Sequence, residues 1–441
     1  MTAKRLLNIV LFLSILTGIL FLTGAQSATG EPGVKTLPGR QYDAIVIKGD
    51  RLAPLDGVSS SCIRLIASNG ASVHDIPFQV DEYDPSGEMI MRSGKNASSD
   101  KDDGALDAND DFVFLANYMG PPVDRAQLPR DAKSWVAIKA TDPINAKFGW
   151  AYAGAFETKV KHSTVDLVSY MPRKDMINGK LYTEGFLFDF PFIKGALHLR
   201  PGAGGPNLLD RLQVRLTARA FGKTLVKTEE DFKAKLTGYI DGPVRVVRQD
   251  KSRLALLAGI SGPAVTKNLK FYPNWNNFQV PVNVPFNPKA LFKEITLFSG
   301  YDLNIKPSMG MYMVTGDNPG VKIPIRGKPD FAADGFKGGK VNWVMVEGPA
   351  GGVITTCVPE HPFPIEPELF FLDDLNADRS PDKFPGAGPT IGFVFNHLET
   401  LEGGNYKINY YTVYREKKVD NWHEGFIRML NDPLKVKTSP L

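Results

Sequence analysis

The sequence predicts an all-β protein in two parts, a small N-terminal β domain and a larger β-sandwich, with few helices. Three observations lead there. Short runs of apolar or β-branched residues recur between turn signals along most of the chain, and such runs favour strands over helices. The chain carries 42 glycines and 33 prolines in 441 residues, a supply of turn formers suited to many short strands. It also carries 27 phenylalanines and 14 tyrosines, rings that fit a pleated, half-buried surface. A chain of this length can bury one large core or two.

The first element is not a strand. Lys4 and Arg5 precede an apolar run over residues 6–22, and the small residues Ala25 and Ser27 follow. Basic start, apolar centre and small-residue exit make the three-part pattern of an export signal. Residues 1–27 are therefore read as a signal peptide, cleaved after Ser27 or retained as an anchor. Both readings place the remainder outside the cytoplasm, in the periplasm or secreted, because the two cations favour the cytoplasmic side. Residues 28–39 read as a flexible leader.

Residues 40–155 read as the N-terminal β domain. Its strands are predicted at 42–47, 61–66, 76–80, 112–115, 135–138 and around 149–153, separated by turns such as Ser68-Asn69-Gly70 and residues 81–87. Residues 156–441 read as the large β-sandwich. Residues 212–219 alternate apolar and polar, the pattern of a half-buried strand. Further strands are expected at 244–248, 253–258, 294–298, 309–314, 340–346, 391–395 and 406–414. Residues 229–235 suggest a short helical turn, and residues 421–430 suggest the one convincing helix. No fixed-period repeat occurs.

Composition narrows the function classes. The formal net charge is +4 and no long basic block is present, so the footprint of a nucleic-acid-binding protein is missing. No second apolar stretch is long enough to span a membrane as a helix. No Cys-x-x-Cys-His, zinc-type Cys/His cluster, nucleophile elbow, phosphate loop or dinucleotide fingerprint occurs. Cys62 and Cys357 form either one long-range disulfide or two separate thiols.

Two acidic loops attract attention. Asp107-x-Asn109-x-Asp111 and Asp374-x-Asn376-x-Asp378, the latter extended by Asp382, place oxygen side chains at the alternate spacing that calcium loops use. Phe112 and Arg379 stand where an EF-hand needs glycine, which rules out that motif. A looser calcium site and a pair of Asx turns both fit. Tyr272, Asn274, Trp275 and Asn276 combine rings with amides, as a sugar-binding platform would; core packing is the competing reading. His361 beside Glu360, in a proline-rich stretch, is a candidate general base or a surface loop residue. Tyr182, His198 and Arg200 would suit proton abstraction beside a carboxylate if the fold gathers them.

The segment 73–82, Val-His-Asp-Ile-Pro-Phe-Gln-Val-Asp-Glu, is followed by 106–114, Leu-Asp-Ala-Asn-Asp-Asp-Phe-Val-Phe. Together they resemble the N-terminal part of exported bacterial β-sandwich proteins, some of them similar to exo-acting rhamnogalacturonan lyases. Gly242-Pro243-Val244-Arg245 resembles a strand start in the large sandwich of such proteins. The resemblance implies fold and export, and carries over no catalytic residue. Two functions follow as expectations. One is interaction with an extracellular polysaccharide, as a lyase or another carbohydrate-active enzyme. The other is a non-catalytic periplasmic or surface assembly protein stabilised by calcium.

Overall fold

The computed structural model describes residues 36–95, 97, 104–189, 192–198, 205–257, 260–261, 264–284, 287–328, 343–349, 351–378, 388–415 and 422–441. The expected export segment lies outside them. The described residues are mostly strand, arranged in three-, five-, nine- and ten-stranded sheets. Among them no helix is long and apolar enough to cross a membrane.

The sheets stack through three apolar interfaces. Tyr170, Ile177, Leu209, Leu303, Phe393 and Phe395 of the nine-stranded sheet pack against Val246, Phe271, Met313, Val346, Ile408 and Tyr414 of the ten-stranded sheet. This is the core of a large sandwich. Burial at roughly 25 cal/mol per Å² of apolar surface makes it the main source of stability. The three-stranded sheet is formed by Ala44–Lys48, Gln79–Asp81 and Asp111–Leu115. It packs on the five-stranded sheet through Ile45, Ile47, Phe112 and Phe114, against Ile63, Leu65, Val136 and Ile138.

Asp111–Leu115 joins the layers, and every residue in it is buried. Side chains alternate across a strand, so Phe112 and Phe114 enter one interface while Val113 and Leu115 enter another. The latter pair meets Val244, Tyr272, Trp275, Ile354 and Val413 on the outer face of the ten-stranded sheet. The helix His423–Asn431 closes this interface with Phe426, and Trp422 precedes it. The chain end then returns, because Lys435–Pro440 pairs with Ser134–Thr141 of the five-stranded sheet.

Most expected strands are present with shifted ends. The two runs expected at 244–248 and 253–258 belong to one strand, Val246–Leu257. Met309 and Met311 precede rather than join Tyr312–Thr315. The expected helical turn over 229–235 is a 3-10 turn only at Glu229–Asp231, and the residues after it begin the strand Phe232–Asp241. Cys62 and Cys357 are both free thiols. Cys62 borders the five-stranded sheet and Cys357 is buried in the sandwich, its thiol pushed up by burial.

Candidate functional site

The segments behind the resemblance meet at one buried guanidinium. Arg245 Nε donates to Asp81 Oδ2 at 2.6 Å, Nη2 to Asp111 Oδ2 at 3.0 Å and Nη1 to the Tyr272 hydroxyl at 2.9 Å. Gln79 completes the clasp. Its Oε1 accepts from the backbone N–H of Val244 and Arg245, and its Nε2 donates to Asp81 Oδ1 at 2.7 Å. A Cβ on Gly242 would sit 2.4 Å from Gln79 Oε1, so the turn needs glycine there. Arg245 is 1 % exposed. Its own carboxylates hold it charged despite burial. In return Arg245 and Lys48 keep Asp111 below the usual carboxylate range, against the upward push of burial. These contacts fasten the three-stranded sheet to the sandwich.

Beyond this clasp the outer face of the ten-stranded sheet turns polar. The strands Val265–Phe271, Trp275–Val284, Gly404–Arg415 and Gly351–Pro359 lie side by side. Their registers set Lys270 opposite Asn277, Asn277 opposite Tyr411 and Tyr411 opposite Thr356. A second row sets Gln279 opposite Asn409. Glu360, just past the end of its strand, draws this row together. Its Oε1 accepts from Gln279 Nε2 at 2.9 Å and from Asn409 Nδ2 at 2.6 Å. Asn277 Nδ2 donates to Asn409 Oδ1 at 3.3 Å.

Lys270 is the outstanding group of this face. It is half-buried, and burial together with the nearby Arg245 charge lowers it to about 8, against the opposing pull of Asp111 and Asp81. Among the described residues none accepts a hydrogen bond from its ammonium. A partly desolvated amine without an acceptor favours an incoming anion and is poised to give or take a proton near neutral pH. Tyr411, in the same row, is pushed up to about 12 by burial and by the Glu360 charge. Asn277 and Asn409 are buried and bonded to their neighbours, so the face offers a cation, a carboxylate, the Gln279 amide and a phenol, a set suited to hydroxyl and carboxylate groups.

The residues expected to bind ligand lie beside this face rather than on it. Tyr272 and Trp275 stack at 4.0 Å inside the interface with the three-stranded sheet, so they are core and not an exposed platform. Asn276 points the other way, into the sandwich, where its Nδ2 donates to Glu184 Oε2 at 2.8 Å. Asn274 lines a cavity of about 40 Å³ with Gln41, Asn117 and Tyr118. The strand supplies its outward polar groups one and three residues after Asn276, at Asn277 and Gln279.

The acidic loops use their oxygens internally. Asp107 Oδ1 accepts from Asn109 N–H at 3.0 Å, and Asp374 Oδ1 from Asn376 N–H at 2.9 Å. Both are Asx turns. Asp111 turns inward to Arg245 and to Lys48, whose ammonium is 2.8 Å from Oδ1, so it is not open to a cation. Neighbouring Asp373 caps the N–H groups of Arg326 and Gly327. Asp378 is exposed, and Asp382 lies outside the described residues. Among the described residues no three His, Cys, Asp or Glu side chains gather as a metal ion requires.

The Tyr182, His198 and Arg200 constellation does not assemble as an open site. Tyr182 is fully buried and its hydroxyl donates to the Tyr272 carbonyl at 2.8 Å. Arg200 and the His198 side chain lie outside the described residues. His361 is exposed, while its neighbour Glu360 faces the amide row.

One further carboxylate is buried within the sandwich. Glu184 Oε2 accepts from the Tyr414 hydroxyl and from Asn276 Nδ2, both at 2.8 Å. Burial pushes it up to about 7. Beside it lies a cavity of about 20 Å³, lined also by Tyr301, Thr355 and Thr412. That holds about one water, not a sugar.

No protein-family model matches the chain, and no curated protein matches it. Solved structures do. An α-mannosidase from Enterococcus faecalis is 10% identical with a TM-score of 0.50, over 93% of this chain and 47% of that one. A glycosyl hydrolase family 38 protein from the same organism is 10% identical with a TM-score of 0.49, over 93% and 49% of the two chains. An α-N-acetylgalactosaminidase from Bifidobacterium bifidum is 14% identical with a TM-score of 0.35, over 55% and 36%. The chain spans about half the length of the first two. At these identities the likeness is one of fold: the chain shares a β-rich architecture with part of an α-mannosidase.

Proposed function

We propose that this protein is exported and binds an acidic polysaccharide along the outer face of its ten-stranded sheet. The observation that carries the reading is Lys270, a half-buried ammonium without a hydrogen-bond acceptor among the described residues, at the head of the Asn277–Tyr411–Thr356 row. A uronate carboxylate would supply the missing acceptor. Gln279, partly exposed, would serve sugar hydroxyls, and Glu360 holds it and the buried Asn409 in place. The fold shared with an α-mannosidase supports a carbohydrate ligand.

The finer reading is a lyase. It requires a base near neutral pKa, and Lys270, lowered to about 8, would fill that role only in its deprotonated form, as an alternative to pairing with the uronate carboxylate. Incubation with a panel of acidic polysaccharides tests both levels. Binding that is lost in Lys270→Met supports the face as the site. Ultraviolet absorbance from unsaturated products, also lost in that variant, supports the lyase. Binding without absorbance leaves a binding protein, and no binding to any member sinks the proposal.

A further inference from the structure

The hairpin joining Leu209–Ala220 to Lys223–Lys227 breaks a local rule at its tip. Ala220 pairs with Lys223, leaving Phe221 and Gly222 as a two-residue turn with φ of 50° and 72°. Such turns take Asn-Gly, Asp-Gly or Gly-Gly, because both positions need the left-handed backbone that a side chain resists. Phenylalanine is a poor choice for the turn. It is also useless to the core, since Phe221 is 84 % exposed. A Cβ placed on Gly222 would meet nothing within 4 Å, so the tip stands clear of the body. A residue that strains the backbone and packs on nothing points to a role outside the fold.

The surroundings identify the kind of partner. Glu294 lies opposite Arg219 in the neighbouring strand, and Lys293 N–H donates to the Arg219 carbonyl at 2.9 Å. The turn through residues 288–293 therefore sits at the same end of the nine-stranded sheet. It adds Leu291, 46 % exposed. Arg219, Lys223, Lys289 and Lys293 are all exposed at this end. Two carboxylates lie beside them: Glu294 is paired with Arg219 at 3.2 Å, and Glu399, which is buried, accepts from the Ile295 N–H at 2.7 Å. Two exposed apolar side chains at a sheet end that also carries exposed cations match the interface of an anionic bilayer, where a ring enters at headgroup level and lysines meet lipid phosphates.

We propose that this end of the sandwich seats on an anionic lipid surface through Phe221 and Leu291. The test is hydrogen exchange on the full chain with phosphatidylcholine vesicles, with and without phosphatidylglycerol. Exchange at residues 219–224 and 289–294 should slow with the anionic vesicles and not with the neutral ones. Reading these segments separates the contact from any made by the N-terminal apolar run. Phe221→Gly should weaken the protection about tenfold in lipid concentration, the order expected for removing one buried ring. Because it relieves a strained φ, its melting temperature should equal or exceed that of the parent. Lys223→Glu with Lys293→Glu should abolish the effect. Equal protection by neutral vesicles, or full protection in Phe221→Gly, overturns the proposal. So does slowing that follows protein concentration without lipid, which would mean a second copy, or slowing by soluble dextran sulfate with none by vesicles.

Discussion

Replacing Glu184 with glutamine should make the protein more stable, and increasingly so as pH rises. Glu184 is buried between the two large sheets, among Tyr182, Tyr301 and Tyr414, with the Arg248 charge acting on it. Its carboxyl is pushed up to about 7 in the fold, from 4.5 in an open chain. The native state therefore holds a proton that the unfolded state releases between those values. Stability from this group is fully present below the unfolded value and is lost as pH rises through the folded one. The gap corresponds to about 3 kcal/mol at full ionisation. The amide introduced by Glu184→Gln keeps an acceptor for Tyr414 and Asn276 and never charges. Urea unfolding of both proteins between pH 4 and 8.5 measures this. The stability difference, variant minus parent, should grow by about 3 kcal/mol across that range. Asp43, which burial also pushes to about 7, titrates in the same window, so the difference matters and not the raw curve. A difference that stays constant with pH would refute the reasoning, whatever its size, because a fixed offset reports only the packing of the new amide.

Other outcomes follow from the same geometry. Asp81→Ala leaves Arg245 short of its 2.6 Å partner in a fully buried site and should cost about 3–5 kcal/mol, read as the urea midpoint. Lys270→Met should reduce polysaccharide affinity about tenfold or more, as loss of a charged hydrogen bond does, without lowering the melting temperature. Folding lowers the Lys270 pKa to about 8, so its ammonium burdens the native state below that value. The burden lifts as pH rises from there toward 10.5, and Lys270→Met should flatten the parent's gain in that range. Chelation by EDTA should leave the melting temperature unchanged, since Asp111 is held by Arg245 and Lys48. A fall of several degrees would direct attention to the loop of Asp374, Asn376, Asp378 and Asp382.

The all-β class was legible because its signals are local. Turn formers and short apolar runs mark strands wherever the chain lies. The strand Trp275–Val284 was not legible, and the reason is physical. It holds Asn276, Asn277, Gln279, Pro281 and Asn283, residues that depress a strand reading. The sheet tolerates them because past Phe278 no neighbour pairs on the Val265–Phe271 side among the described residues, and because its amides find partners on both faces. Lys270 was invisible for a related reason. A lysine next to a phenylalanine in an alternating run looks like any solvent-facing residue until the fold brings Arg245 and Asp111 beside it. The acidic loops stay open to two readings in sequence for the opposite reason, since alternate aspartates serve Asx turns as readily as cations.

The clasp at Arg245 gives the segments singled out in the sequence an architectural role in this chain. Gln79 and Asp81 come from one resembling segment, Asp111 from the second and Arg245 from the third, and all are spent on each other. A buried ion cluster gains little over apolar packing and loses heavily if one member is removed, so its use is to fix how two layers meet. A guanidinium requiring carboxylates from two different strands of the three-stranded sheet sets that sheet's position on the sandwich. The groups that face outward belong to other segments: Lys270, Asn277, Gln279, Glu360, Asn409 and Tyr411. Two proteins can therefore share the clasp and differ wholly in ligand. Lys270 links the two sets, because it stands on the outer face while Arg245, Asp111, Asp81 and Lys48 of the clasp side all act on its charge. Neutralising Asp111 should thus lower the Lys270 pKa further as well as loosen the sheets. A pH profile of ligand binding in Asp111→Asn that keeps the parent's midpoint would separate clasp from face.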